Sequence, residues 1–163
     1  MTGFEPERQH NPLLNSAAGA RALNRMHRPW FALRLPMGYG TLETKGRKSG
    51  ESRRRHMRAI RDGDRVYVVA IKGEAVTGWL KNARADPNVR LRLRGGWFDG
   101  VARDLRAEEM SQARKVYCEG PVGPFERVEY RMWKKGSPSA GKIRDLHRAW
   151  FEQGTPMVIE LAP

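Results

Sequence analysis

The chain has 163 residues, enough for one ordinary domain and too few for two. Lys and Arg number 31 against 18 Asp and Glu, a net charge of +13, which implies an anionic partner: nucleic acid, a phosphorylated cofactor or a membrane surface. Hydrophobic residues at 39% exclude disorder throughout, no apolar run approaches the ~20 residues of a bilayer span, and a single cysteine, Cys118, excludes an internal disulfide.

Residues 1–12 are polar, carry two prolines and read as a loose lead-in without the zones of a signal peptide, so a cytoplasmic location is expected. From Leu13 a helix is predicted, with Leu13, Ala17, Ala20, Leu23, Met26 and Trp30 on one side and Arg21, Arg25 and Arg28 on the other. Pro29 is expected to end it. The plain reading packs this helix on the domain; a basic amphipathic helix also suits peripheral contact with an anionic membrane. A strand is predicted over Tyr39–Lys45, then a turn at Gly46–Gly50, then a basic strand from Arg53 to Arg61. Asp62-Gly63-Asp64 is a hairpin turn, and Arg65–Ile71, apolar on both faces, is a fully buried strand.

Gly73 and Gly78 bracket a loop, and Trp79–Ala85 is a short helix closed by Asp86-Pro87. Val89–Arg94 alternates apolar and basic residues, turns at Gly95-Gly96, and pairs back through Trp97–Leu105. Ala107–Cys118 reads as a helix opened by Glu108 and Glu109, which suit the helix dipole. Residues 119–124 break it, Phe125–Lys135 is ambiguous, and residues 136–141 form a loop. Ile143, Leu146 and Trp150 mark a short amphipathic helix before a last strand over Met157–Leu161. The fold class is mainly β (α+β): about six antiparallel strands in a small barrel with peripheral helices. Residues 1–30 form the lead-in and helix, residues 31–163 the barrel domain, and residues 107–152 a helical insertion.

Residues 45–61 hold eight cations against one acid, Glu51, more than half of the net charge. On a strand, Arg53 and Arg55 share a face with Met57 and Ala59, while Arg54, His56 and Arg58 share the other. Arginines on both faces cannot both be buried dry, so one face must meet an anion or water. The Gly46–Gly50 turn adds a place where backbone N–H groups converge, beside Arg47, Lys48 and the Ser49 hydroxyl. The helix start at Thr77-Gly78-Trp79 is a second anion candidate. The histidines His10, His27, His56 and His147 are scattered without ligand spacing, so no metal site is expected. No serine-centred elbow motif occurs.

The run Thr44–Gly50, Arg61-Asp62-Gly63, Lys72-Gly73, Trp79-Leu80-Lys81-Asn82 and Asp86-Pro87-Asn88-Val89, in this order and spacing, resembles the deazaflavin-dependent nitroreductase or quinone reductase family of actinobacteria. The resemblance covers about Tyr39–Leu105, with an echo in Pro156–Leu161. It implies a flavin-reductase-like split β-barrel, coenzyme F-420 (an 8-hydroxy-5-deazaflavin with a phosphodiester and an oligoglutamate tail), and hydride transfer to a quinone, enone or nitro compound. Carried over by position, Arg47, Lys48 and Ser49 hold the phosphate and tail, and Arg53, Arg54, Arg55, His56, Met57 and Arg58 line the groove. Val69, Ala70, Ile71 and Lys72 run beside the ring, and Gly78, Trp79, Leu80, Lys81 and Asn82 close over it. Two positions depart from the family: Arg58 stands where a member carries tyrosine, and Ile71 where it carries serine.

The chemistry is then the cofactor's, with the protein placing it and stabilising developing charge. His56 and Tyr130 are the candidate proton donors, each weighed against a structural role. Phe125, Tyr130 and Trp133 are candidate substrate-pocket aromatics. The competing readings are an FMN-using split barrel, a non-catalytic deazaflavin binder and a basic nucleic-acid-binding barrel. Nucleic-acid binding is disfavoured because no aromatic pairs interleave with the basic strand. The partner expected is a small-molecule substrate, the assembly a monomer or homodimer.

Overall fold

Two ends of one stretch of chain close the sheet on itself. In the computed structural model, which describes residues 17–72 and 78–163, seven antiparallel strands form one sheet. They are β1 (Tyr39–Lys45), β2 (Ser52–Arg58), β3 (Ile60–Asp62), β4 (Arg65–Ala70), β5 (Asn88–Leu93), β6 (Gly96–Asp104) and β7 (Thr155–Leu161). Their order is β2-β1-β5-β6-β7-β4-β3. The two edge strands, β2 and β3, are consecutive in sequence and separated only by Ala59, which is buried and donates its N–H to the Gly38 carbonyl at 2.9 Å. The sheet therefore curls until both edges meet in one run, the geometry of a split barrel. The basic run expected as one strand over Arg53–Arg61 is instead divided at Ala59 between the two edges, because a continuous strand could not pair with both β1 and β4.

The helices are α1 (Ala17–Leu33), α2 (Gly78–Ala85), α3 (Met110–Glu119, preceded by a 3-10 turn at Ala107–Glu109), α4 (Pro124–Trp133) and α5 (Ala140–Gln153). Leu42, Val66, Val68, Leu91, Met157 and Ile159 fill the concave side of the sheet and pack against Trp79, Leu80 and Ala83 of α2. Tyr67, Val69 and Val158 point the other way, onto Ala113, Tyr117 and Cys118 of α3 and Phe151 of α5. Strand β4 is apolar on both faces because it is covered on both.

Pro29 does not end α1, which continues to Leu33. Tertiary contacts at the helix C-terminus offset the missing N–H. Phe31 and Leu35 are buried with Tyr39 and Phe125, and Arg92 donates to the Phe31 and Ala32 carbonyls at 3.1 and 3.5 Å. The ambiguous segment 125–135 lies mainly in α4. There Pro124 occupies the first turn and the Glu126 carboxylate accepts the Gly123 N–H at 2.5 Å, an N-terminal cap. The lead-in, Leu13, the Gly73 loop and the side chains of Ala17, Ala20, Leu23, Met26, Trp30 and Trp133 lie outside the described residues. Among the described residues no helix is long and apolar enough to cross a membrane, and no cluster of potential metal ligands occurs.

Candidate functional site

The β1–β2 connection is a tight bend whose backbone closes on itself. The Gly46 N–H donates to the Glu51 carbonyl and the Gly50 N–H to the Gly46 carbonyl, both at 2.7 Å. Gly50 has a φ of +72°, a left-handed conformation that side chains resist. A Cβ at Gly46 would stand 2.8 Å from the Ser49 Oγ and 3.2 Å from the Glu51 carbonyl oxygen, so a side chain there would displace the Ser49 hydroxyl and press on the Glu51 backbone.

Asn82 on α2 fastens this bend to the barrel. It is buried, and its Oδ1 accepts the Arg47 backbone N–H at 3.2 Å and the Arg47 guanidinium at 3.3 Å. Its Nδ2 donates to Thr44 Oγ1 at 3.3 Å. An asparagine near a helix start, buried against a glycine bend, thus sets the position of Arg47.

Between the bend, β2 and α2 runs a groove of about 410 Å³. Six cations line it: Arg21, Arg47, Lys48, Arg53, Arg54 and Arg55. Ser49, Gly78, Trp79 and Asn82 complete the wall, with no carboxylate among the described lining residues. The two nearby acids pair with arginines: Glu51 with Arg53 at 2.9 Å, and Glu43 with Arg54 at 2.6 Å and with Arg90 at 3.6 Å. The Arg54 hydrogen bond holds the Glu43 carboxyl below its usual range. Among the described residues these acids leave Arg47 and Lys48 to face the groove, and the donor set fits an anionic, phosphate- or carboxylate-bearing ligand.

Of the residues expected in the cofactor site, the structure brings together Arg47, Lys48, Ser49, Arg53, Arg54, Arg55, Gly78, Trp79 and Asn82. The others lie elsewhere. Met57 and Leu80 pack with the concave core, as does Ala70, while Val69 faces α3 and α5. Ile71 leans on the cluster of Tyr130, Ile143, Leu146 and Trp150. Lys72 and Lys81 are exposed. His56 lies on the outer face of β2, its Nδ1 2.8 Å from Thr41 Oγ1 and its ring 4.4 Å from that of Phe31. Neither His56 nor Tyr130 lines the groove, so the structure does not bring the two proton-donor candidates to it.

Arg58 is buried, pairs with Glu126 of α4 and donates to the Tyr117 carbonyl at 2.8 Å. It joins the barrel to the helical insertion instead of lining the groove. Beside it, burial and then the Arg58 charge push the His147 imidazole down to about 2, so it is neutral. Nothing near Arg58 in sequence identifies Glu126, which comes from a helix far along the chain. Tyr39, hydrogen-bonded to Glu129, is raised well above its usual range, first by burial and then by the Glu129 charge.

A sequence profile described as F420H(2)-dependent quinone reductase matches residues 30–127, more than half of the chain. A solved structure described as an F420-H2 dependent reductase (FDR-A) is 21% identical, with a TM-score of 0.51, covering 78% of this chain and 96% of its own. A second, described as a domain-swapped dimer, is 20% identical with a TM-score of 0.52, covering 86% of this chain and 92% of its own. At these identities the two structures show a shared fold.

Proposed function

The chain belongs to the F420H(2)-dependent quinone reductase family, and we propose that the groove between the Gly46–Gly50 bend, β2 and α2 is where this oxidoreductase holds coenzyme F-420. The enzyme is a deazaflavin-dependent reductase with a small-molecule acceptor. The single observation that supports this placement is the lining itself: six cations and no acid among the described residues, beside a hydrogen-bonded glycine bend.

When bound, the reduced deazaflavin supplies a hydride from C5 to an electron-poor acceptor such as a quinone. Arg47 and Lys48 grip the phosphodiester and first carboxylates, with the Arg47 guanidinium pre-positioned by Asn82 Oδ1. Arg53 and Arg55 extend the positive wall along β2. Trp79, buried at the start of α2, gives the groove its apolar floor and excludes water there. Guanidinium N–H donors along the wall stabilise negative charge that develops on an acceptor oxygen. The described lining side chains contribute placement and charge.

The test is a fluorescence titration with oxidised coenzyme F-420 at fixed ionic strength. The Arg47→Ala/Lys48→Ala variant should bind roughly tenfold or more weakly than wild type, because two charge-assisted contacts are lost. FMN should not compete at equal concentration. Unchanged affinity in the double variant would move the anionic part of the coenzyme away from the bend.

A further inference from the structure

The outer face of the sheet is covered at both ends and open in the middle. Among the described residues α1 packs on β2, α3 on β3 and β4, and α5 on β4 and β7, while α2 fills the concave side. Between them lies a shallow depression of about 580 Å³ over β5, β6 and the end of β7. Its outward side chains are set by register: Arg90 of β5 faces Asp99 of β6, and Val101 of β6 stands between Asn88 of β5 and Glu160 of β7. Val101 is 45% exposed there, and Trp97, four residues earlier on the same face, is 37% exposed.

The charge of this strip differs from that of the whole chain. Arg90 pairs with Asp99 at 3.4 Å, and Arg103, two residues beyond Val101, pairs with Glu160 at 2.6 Å. Two cations and two acids thus balance on the open strip of a chain whose net charge is +13. Two copies of such a chain repel through their cationic surfaces and approach at least cost where the charge cancels. A patch carrying both signs is also self-complementary about a two-fold axis, because arginine and acid can exchange partners between copies. Trp97 is held in place by Arg54 and Arg90, each 5.1 Å from its ring centre, so it offers a rigid aromatic anchor that loses little freedom on docking. The nine residues of β6 with one strand on either side present on the order of 400 Å² per copy. That is about half of the ~800 Å² per partner of a stable interface, which fits a reversible dimer.

We propose that this strip pairs face to face with the same strip of a second copy, about a two-fold axis beside Val101, in a dimer with a Kd of about 10–100 µM. The inference is independent of where the coenzyme binds. The experiment is sedimentation velocity over about 5–500 µM protein, at about 50 and 300 mM NaCl. Wild type should pass from monomer to twice that mass, and the dimer should strengthen with salt because repulsion between two +13 copies is screened. In Val101→Lys the ammonium finds Glu160 across the register of its own chain, so the melting temperature should hold while dimerisation weakens by about tenfold or more. Val101→Cys adds an exposed thiol to a chain whose natural cysteine is buried. A short bis-maleimide should join two copies of it, and should leave Val128→Cys, equally exposed but on α4, monomeric. A monomer at every concentration and at both salts overturns the proposal. A dimer that Val101→Lys leaves intact, or one that Val101→Cys fails to cross-link, overturns it as well, because the axis then lies elsewhere.

Discussion

Replacing Asn82 by aspartate separates two roles of one side chain. The wild-type amide accepts from Arg47 through Oδ1 and donates to Thr44 through Nδ2, at 3.2–3.3 Å. Aspartate keeps an acceptor for Arg47 and loses only the donation to Thr44. One net hydrogen bond is worth about 0.5–1.5 kcal/mol, which for a chain of this size lowers Tm by about 1–6 °C. The new carboxylate, however, stands in the wall of the cationic groove. At an assumed separation of about 6 Å and an effective dielectric of about 40–80, it repels each bound negative charge by about 0.7–1.4 kcal/mol. That corresponds to a three- to tenfold weaker Kd per charge, or about 10- to 100-fold for two. Asn82→Ala loses all three hydrogen bonds and adds no charge, so it should destabilise more and weaken binding less. Thermal melts and coenzyme titrations on both variants check the crossing order. Wild-type affinity in Asn82→Asp would refute the claim that an anionic part of the coenzyme lies beside α2.

The buried Arg58–Glu126 pair gives a second test: Arg58→Met alone strands a buried carboxylate and should cost about 3–5 kcal/mol, whereas Arg58→Met with Glu126→Met should recover most of the loss in denaturant melts. Equal stability of single and double variants would contradict the pairing. Gly46→Ala forces a Cβ to 2.8 Å from Ser49 Oγ, so it should weaken coenzyme binding by about tenfold if the bend must open by as little as about 1.4 kcal/mol, and unaltered Kd would show that the bend tolerates the shift. The neutral, buried His147 has a folded pKa near 2, below its unfolded value of about 6.5. Stability is therefore complete above pH 6.5 and falls as pH drops, by about 1.4 kcal/mol per pH unit between pH 6 and 5. In His147→Leu, chemical denaturation should show that slope flattened; an unchanged slope would assign the proton uptake to another group.

Much of the barrel is written in local pattern. Strand β4 is apolar on both faces because two cores cover it, and β5 alternates because only one face is buried. The glycine bend is legible in Gly46, Gly50 and the cations between them. What local pattern does not carry is long-range partnership. Arg58 reads as one more groove arginine until Glu126 arrives from α4. The division of the basic strand at Ala59 depends on the curl of the whole sheet, which no window of residues encodes. The passage of α1 through Pro29 depends on Phe31, Leu35 and Arg92 meeting it from elsewhere. The arginines of α1 are visible in sequence, yet their placement across a groove from Arg54 and Arg92 emerges only from the fold.

A structure of the protein with coenzyme F-420 bound is the most direct measurement. Phosphodiester or carboxylate oxygens are expected within about 3.2 Å of the Arg47 and Lys48 side chains, with the deazaflavin in the groove beside Trp79. A coenzyme seated with its anionic tail away from the Gly46–Gly50 bend and β2 would contradict the assignment.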